Sequence, residues 1–361
     1  MKNICIFIPT LKSGGAEKQA VLLSKVLQED FNTYLVIWNG HLTEPKFTDY
    51  IEKFQIQTIY LTGSLLSKLL KLIRLLSKNK INIIFGYLAS NNFYGSVAGK
   101  ISGVDYIVGG IRNAEIPRLK LIIQRFLHNH ILDYTIFNNY SGRTNLIGYG
   151  FKPSTCEVIP NCFDLEILPF IRPKTSAIKI VSLARFVEQK DYPTAIKAIA
   201  YLAEKLKANK SVSFTYQIIG YGVLEGEIRK LITDYQIENI TEIIINPSNI
   251  PDLLKNADIF LTTSLFEGTS NSVMEAMSFS LPVVSTDAGD NNKLIEENVS
   301  GYICDIGDFQ TIGDSLYTLV TDYKKRIDFG NAAYYILKND YSMEKFKTKY
   351  VEFINKIQLK N

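Results

Sequence analysis

Apolar positions along this chain follow two alternating patterns. Short, almost continuous apolar blocks occur at 4–8, 33–38, 81–85, 106–109 and 134–137. Such blocks read as strands buried on both faces, as in a parallel sheet. Between several of them apolar residues return every three or four positions, as Ala20, Leu23 and Leu27 do. That spacing predicts helices with one buried side. From 161 to 179 the pattern lapses, and Pro169 and Pro173 punctuate the stretch, so it reads as an interdomain linker. A second series then begins. Strands are predicted at 179–183, 214–219, 242–245, 259–263 and 282–285, with helices at 192–207, 224–235, 250–256 and 272–278. One more helix, about 343–356, follows the second sheet. The alternation predicts an α/β chain of two doubly wound, Rossmann-like domains in tandem.

Composition agrees with that picture and narrows the function. With 361 residues, 46% apolar and 21% charged, the chain can bury two cores and is not a disordered protein. The four cysteines (Cys5, Cys156, Cys162, Cys304) form no Cys-x-x-Cys pair, and only His41, His128 and His130 supply imidazole. Neither a structural zinc site nor a disulfide framework is expected. The apolar start is too short for a signal peptide, and no run approaches the roughly 18 apolar residues of a spanning helix. A cytoplasmic location is the default. The net charge of +4 is uneven: up to residue 165 there are 18 cations and 11 acids, against 22 and 25 in the rest. The first half thus carries +7, which suggests an anionic partner there. A nucleic acid is not indicated, because no basic motif interleaved with aromatics occurs.

In open α/β sheets ligands bind beyond the carboxyl ends of the strands. Candidate chemistry therefore belongs on strand-to-helix loops, and four of these stand out. Gly14 and Gly15 open the first helix, where paired glycines permit close approach of an anion to the helix N-terminus; a plain tight turn would look the same. Arg185 and Lys190 lie five apart after the first strand of the second series and could clamp two phosphates; a solvated loop is the alternative. Gly220 and Gly222 follow the next strand, but Glu225 stands where a dinucleotide fingerprint needs its third glycine. A mononucleotide approach stays open. Glu267 and Glu275, eight apart, straddle a helix start with Gly268, Thr269, Ser270 and Asn271 between them. Carboxylates accept from sugar hydroxyls, while helix N-terminal amides favour phosphate. Ordinary helix-dipole complementation is the competing account.

Together, Glu267…Glu275, Arg185…Lys190, Gly14-Gly15 and the run Leu281-Pro282-Val283-Val284-Ser285-Thr286-Asp287 resemble family 4 of the retaining glycosyltransferases. The resemblance extends over essentially the whole chain and is most specific in the second domain. It implies the GT-B fold, with two facing Rossmann-like domains and a cleft between them. It implies domains at 1–165 (acceptor side) and 166–338 (nucleotide sugar side), with 339–361 a helix returning to the first. Arg185, Lys190 and Glu267 would be catalytic: the two cations on the nucleotide diphosphate, Glu267 on donor-sugar hydroxyls. Glu275 would hold the ribose, and Gly14-Gly15 would meet phosphate from the other domain. Where the family commonly has a His near the reacting sugar, this chain has the segment 109–115, with Arg112 nearest to that place. Pro160-Asn161-Cys162 stands where the family has Pro-Asn-Gly.

The expected activity is metal-independent, retaining transfer of a hexose-type sugar from UDP or GDP, with no cofactor beyond that donor. The chain has no Asp-x-Asp motif. The acceptor would be a glycan or a polyprenyl-diphosphate-linked glycan in capsule, lipopolysaccharide or related cell-surface biosynthesis. Two basic amphipathic stretches, 65–80 and 118–130, make an anionic surface on the inner face of the cytoplasmic membrane a candidate partner. Ordinary domain helices would show the same pattern. A GT-B nucleotide-sugar epimerase and a non-catalytic nucleotide-sugar-binding subunit are the alternative functions.

Overall fold

The computed structural model describes residues 1–12, 14–112, 117–164, 169–170, 172–207 and 212–358. The chain forms two compact units, one of 1–162 with 343–361 and one of 163–342. From sequence the divisions were placed at 165/166 and 338/339.

Unit 1 runs β1 (Asn3–Ile8), α1 (Gly15–Leu27), β2 (Asn32–Ile37), α2 (Pro45–Lys53), β3 (Thr58–Tyr60), α3 (Leu65–Lys78) and β4 (Ile83–Gly86). It continues with α4 (Ala89–Ser102), β5 (Tyr106–Ile111), α5 (Arg118–His130), β6 (Tyr134–Phe137), α6 (Tyr140–Gly148) and β7 (Cys156–Val158). The sheet order is β3-β2-β1-β4-β5-β6-β7, and every pairing is parallel. The period of two in β1 divides its side chains between two cores. Ile4, Ile6 and Ile8 pack with α1 and α2. Cys5 and Phe7 face the layer formed by α3, α4 and α5.

Unit 2 comprises β8 (Ala177–Leu183), α7 (Tyr192–Leu206), β9 (Ser213–Gly220), α8 (Glu225–Asp234), β10 (Thr241–Ile245), α9 (Ile250–Lys255) and β11 (Ile259–Thr262). Then follow α10 (Asn271–Ser278), β12 (Val283–Thr286), α11 (Asn291–Leu294), β13 (Gly301–Cys304), α12 (Phe309–Thr321) and α13 (Tyr323–Asp340). Its parallel sheet has the order β10-β9-β8-β11-β12-β13. The last helix, α14 (Met343–Gln358), belongs to unit 1, where Phe346, Tyr350, Phe353, Ile354 and Ile357 enter the core beside Ile4 and Ile6.

The apolar pattern did not reveal β3, β7 or β13. All three have three or four residues and lie at sheet edges. An edge strand is half exposed and needs no continuous apolar run. The predicted linker is partly anchored: buried Arg172 donates to the carbonyls of Ser280 (2.8 Å), Phe279 (2.7 Å) and Ala257. Burial lowers its pKa to about 10. The four cysteines are free and buried.

Candidate active site

In unit 2 the strand order reverses between β8 and β11. The chain leaves these two strands for helices in different core layers, α7 and α10, and such a reversal is where doubly wound sheets bind ligands. The β8 loop ends in a 3-10 turn, Glu188–Lys190. The β11 loop carries Glu267. The Lys190 ammonium donates to Glu267 Oε1, and Ser264 Oγ donates to the same oxygen at 2.7 Å. The side chains are only 14% and 10% exposed. With Oε1 held twice, Oε2 takes no hydrogen bond among the described residues and keeps its capacity to accept one.

The two loops are also joined through backbone atoms. Leu265 N donates to Gln189 O (2.8 Å), and Gln189 Nε2 donates to Phe266 O (2.7 Å). The Thr263 hydroxyl reaches the carbonyls of Lys190 and Asp191. Behind them, Thr286 Oγ1 donates to Ser264 O at 2.7 Å. A Cβ on Gly289, whose φ is +63°, would lie 2.2 Å from Glu267 O. Glycine there lets the β12–α11 turn press against Glu267. Ser264 and Gly289 were missed in the sequence. The run Thr262-Thr263-Ser264 at a strand end was the available signal for Ser264; Gly289 had only a turn-like context.

Arg185 is exposed, and its guanidinium has no partner among the described residues. Its place is fixed through the chain on either side. Ala184 N donates to Ile219 O (3.0 Å), Phe186 N to Tyr221 O (2.7 Å), and Leu224 N to Phe186 O (3.1 Å). A Cβ on Gly220 would lie 1.9 Å from Ala184 O, and one on Gly222 would lie 2.5 Å from Phe186 O. These glycines thus let the β9–α8 loop sit directly on the loop that presents Arg185. The dinucleotide fingerprint was already excluded by Glu225, and in this structure the Gly220-Tyr221-Gly222 backbone packs on 184–186.

Gly268, Thr269 and Ser270 lead into α10, and Asn271 is its first residue. Thr269 and Ser270 are buried. Ser270, the N-cap, supplies no side-chain cap; its hydroxyl lies 3.3 Å from that of Ser272. The first-turn amides are thus not consumed by the cap side chain. Glu275 stands one turn into the helix and is half-buried.

Unit 1 places its candidates differently. Gly14 caps α1 in an extended conformation. Glu17 folds back, so that a Cβ on Gly14 would meet its Oε2 at 2.1 Å. Thr10 Oγ1 donates to Glu17 Oε1 at 3.4 Å. Burial raises the Glu17 pKa. The negative charge favoured at the helix start beside Gly14 and Gly15 is therefore supplied, in this state, by Glu17 itself. Arg112 follows β5 and is buried. Its guanidinium lies 4.1 Å from the Tyr87 ring centroid, and Nη2 donates to Tyr350 Oη at 3.4 Å. Desolvation works to lower its pKa, but Tyr87 and Tyr350 outweigh that and the net shift is upward. Arg112 thus links the end of β5 to Tyr87, just after β4, and to Tyr350 on α14. Residues 113–116, the rest of that candidate loop, lie outside the described residues.

Comparison with known proteins gives this arrangement a family. Residues 166–335 match the family model described as glycosyl transferases group 1. Over 358 residues the chain is 25% identical to a Campylobacter jejuni protein, the N-acetylgalactosamine-N,N'-diacetylbacillosaminyl-diphospho-undecaprenol 4-alpha-N-acetylgalactosaminyltransferase. That match covers 92% of this chain and 94% of the relative. It is 24% identical over 307 residues to the UDP-Gal:alpha-D-GlcNAc-diphosphoundecaprenol alpha-1,3-galactosyltransferase of Escherichia coli, covering 79% and 78%. In fold it superimposes on the crystal structure of Anabaena HepE in complex with UDP-glucose, with a TM-score of 0.84 at 19% identity over 99% and 100% of the two chains. The two doubly wound units are those of the GT-B fold, the second of them carries the glycosyl transferases group 1 match, and the protein is a glycosyltransferase, an enzyme that transfers a sugar.

Proposed function

We propose that this enzyme is a retaining, metal-independent family 4 transferase. It moves a hexose-type sugar from a UDP- or GDP-linked donor to a hydroxyl of a polyprenyl-diphosphate-linked glycan, from the cytoplasmic side of the membrane. The observation that carries this reading is the Lys190–Glu267 pair spanning the β8–β11 reversal, with Arg185, unpartnered among the described residues, on the same β8 loop. Arg185 and Lys190 stabilise the negative charge that develops on the departing phosphate, with the α10 amides adding to them. Glu267 Oε2 accepts from a donor-sugar hydroxyl, and Glu275 takes the ribose. In the transfer, the acceptor oxygen bonds to the anomeric carbon while the bond from that carbon to the phosphate oxygen breaks. The electron pair stays on the phosphate, which takes the acceptor's proton. The names of the Campylobacter and Escherichia relatives support a diphosphoundecaprenol-linked acceptor, and the second supports a UDP donor.

The test is a panel of UDP- and GDP-sugars offered to the purified chain, with undecaprenyl- and geranyl-diphosphate-linked N-acetylglucosamine or N-acetylgalactosamine as acceptors. Acceptor-dependent release of UDP or GDP from one donor, with the anomeric configuration kept in the product, is expected. Conversion of a donor to its epimer without acceptor would make the protein an epimerase. Binding of the nucleotide with no turnover of any donor would make it a binding subunit.

A further inference from the structure

The α3–α4–α5 layer of unit 1 has an unusual charge composition. Its three helices hold eight Lys and Arg residues and no Asp or Glu. The helices α1, α2 and α14, which share the core on the other side of the sheet, mix eight cations with five carboxylates. Three helices of the first half thus carry positive charge with no acid of their own.

Within that layer α5 is turned inside out. Leu119 is 73% exposed, Ile122 58%, Ile123 43% and Phe126 57%. Positions 119, 122, 123 and 126 form a single stripe along a helix. The buried side instead holds Gln124 and His128 beside Leu127. Gln124 Oε1 accepts from Asn92 Nδ2 (2.7 Å), and its Nε2 donates to Ala89 O (3.1 Å). His128 Nδ1 lies 2.8 Å from Thr135 Oγ1. These hydrogen bonds hold the polar side inward, so the helix cannot roll to cover its apolar stripe. Phe93 on α4 and Leu66 on α3 add exposed apolar area on the neighbouring helices. Arg118, Lys120 and Arg125 stand exposed on α5 itself.

An apolar stripe flanked by cations, without carboxylates, is complementary to a bilayer with anionic headgroups. The apolar side chains enter the acyl boundary and the cations meet phosphates. A second copy docked through the same face would set cation against cation. We propose that the outer face of α3–α4–α5 docks unit 1 on an anionic lipid surface, with Leu119, Ile122, Ile123 and Phe126 as the inserted edge. This deepens the reading of a lipid-linked acceptor and rests on it, since that acceptor's diphosphate lies at the same surface.

The full chain is to be co-sedimented with phosphatidylglycerol–phosphatidylethanolamine vesicles and with phosphatidylcholine vesicles. Binding at least tenfold stronger to the anionic vesicles, weakening as salt rises, is expected. The double variant I122S/F126S should lower it at least tenfold. R118Q/R125Q should lower it roughly twenty-five-fold, about fivefold per cation. Both variants should keep the thermal midpoint and the turnover with the geranyl-diphosphate-linked acceptor. Equal binding to both vesicle types, or binding that neither variant weakens, overturns the proposal. So does a wild-type dimer that I122S/F126S converts to monomer in light scattering, because the stripe is then an interface between copies. Vesicle binding that persists without transfer to any acceptor overturns the acceptor reading instead and leaves the docking surface standing.

Discussion

At the scale of single residues, the three proposed catalytic side chains differ in what else they support. Arg185 is exposed and unpartnered among the described residues, so nothing in the fold depends on its charge. Lys190 and Glu267 neutralise each other in a mostly buried setting. Removing one member of such a pair leaves the other uncompensated and costs about 3–5 kcal/mol when burial is complete. We expect Arg185→Ala to lower kcat/KM at least ~100-fold, the scale of one lost oxyanion-type donor, without moving the thermal unfolding midpoint. Glu267→Ala should abolish transfer and also lower that midpoint. Donor turnover and calorimetry on the two variants check both parts, and near-wild-type turnover in Arg185→Ala would remove it from the catalytic set. Arg185, Lys190 and Glu267 were all visible in the sequence as charged residues on strand-to-helix loops. Their unequal partnering was not, because the contact between Lys190 and Glu267 joins positions 77 residues apart.

At the scale of elements, the loops after β8, β9 and β11 behave as one stacked assembly. Gly220 and Gly222 matter for what they omit: a methyl group on either would overlap the backbone of 184–186. Backbone cannot yield as the end of a side chain does, so Gly222→Ala should displace the Arg185 loop. The expected cost is about 1–3 kcal/mol, typical of overpacking a filled site. Because the loop presents Arg185, KM for the donor should rise as well. Arg185→Ala, which leaves the loop in place, is the control. Denaturant melts and donor titrations measure the two effects; an unchanged KM would show that this contact does not position the cation. The sequence showed a glycine pair after a strand, a pattern shared with nucleotide-binding loops. Only the fold shows that the pair's immediate neighbour is another loop of the protein. The short edge strands β3, β7 and β13 were hidden for a related reason, since half-exposed edges leave no apolar run to read.

At the scale of the whole molecule, unit 1 is discontinuous. Its core is completed by α14, which lies some 180 residues beyond Cys162 and contributes five large buried side chains. Fully burying one such side chain is worth about 1.5–3 kcal/mol, and the sum is comparable to the entire stability of a domain, about 5–15 kcal/mol. A chain truncated after Ser342 should therefore lose the cooperative unfolding of unit 1 and keep that of unit 2. Hydrogen exchange resolved by peptide reads this directly. Protection retained across β1, β4 and β5 in the truncated chain would show that unit 1 folds without α14. In the full chain Lys347 bridges to Glu29 and Asp30, and Tyr106 Oη donates to Ile357 O at 2.6 Å, so the helix is held by polar contacts as well as by its apolar side.

The sequence by itself determined the two alternating series, the helices that follow several of the strands and the loops on which charged and glycine residues gather. Those features are local: the apolar period, the helix starts and the breaks are written within a few neighbouring positions. The tertiary structure decided what depends on distant partners. It set Lys190 on Glu267 and buried Arg112 between Tyr87 and Tyr350. It also turned the apolar stripe of α5 outward. The 118–130 pattern reads as a basic amphipathic helix, but the side that faces the sheet was settled by Asn92, Ala89 and Thr135, whose hydrogen bonds draw Gln124 and His128 inward. A buried polar group must find its partner, and where that partner stands is a property of the fold.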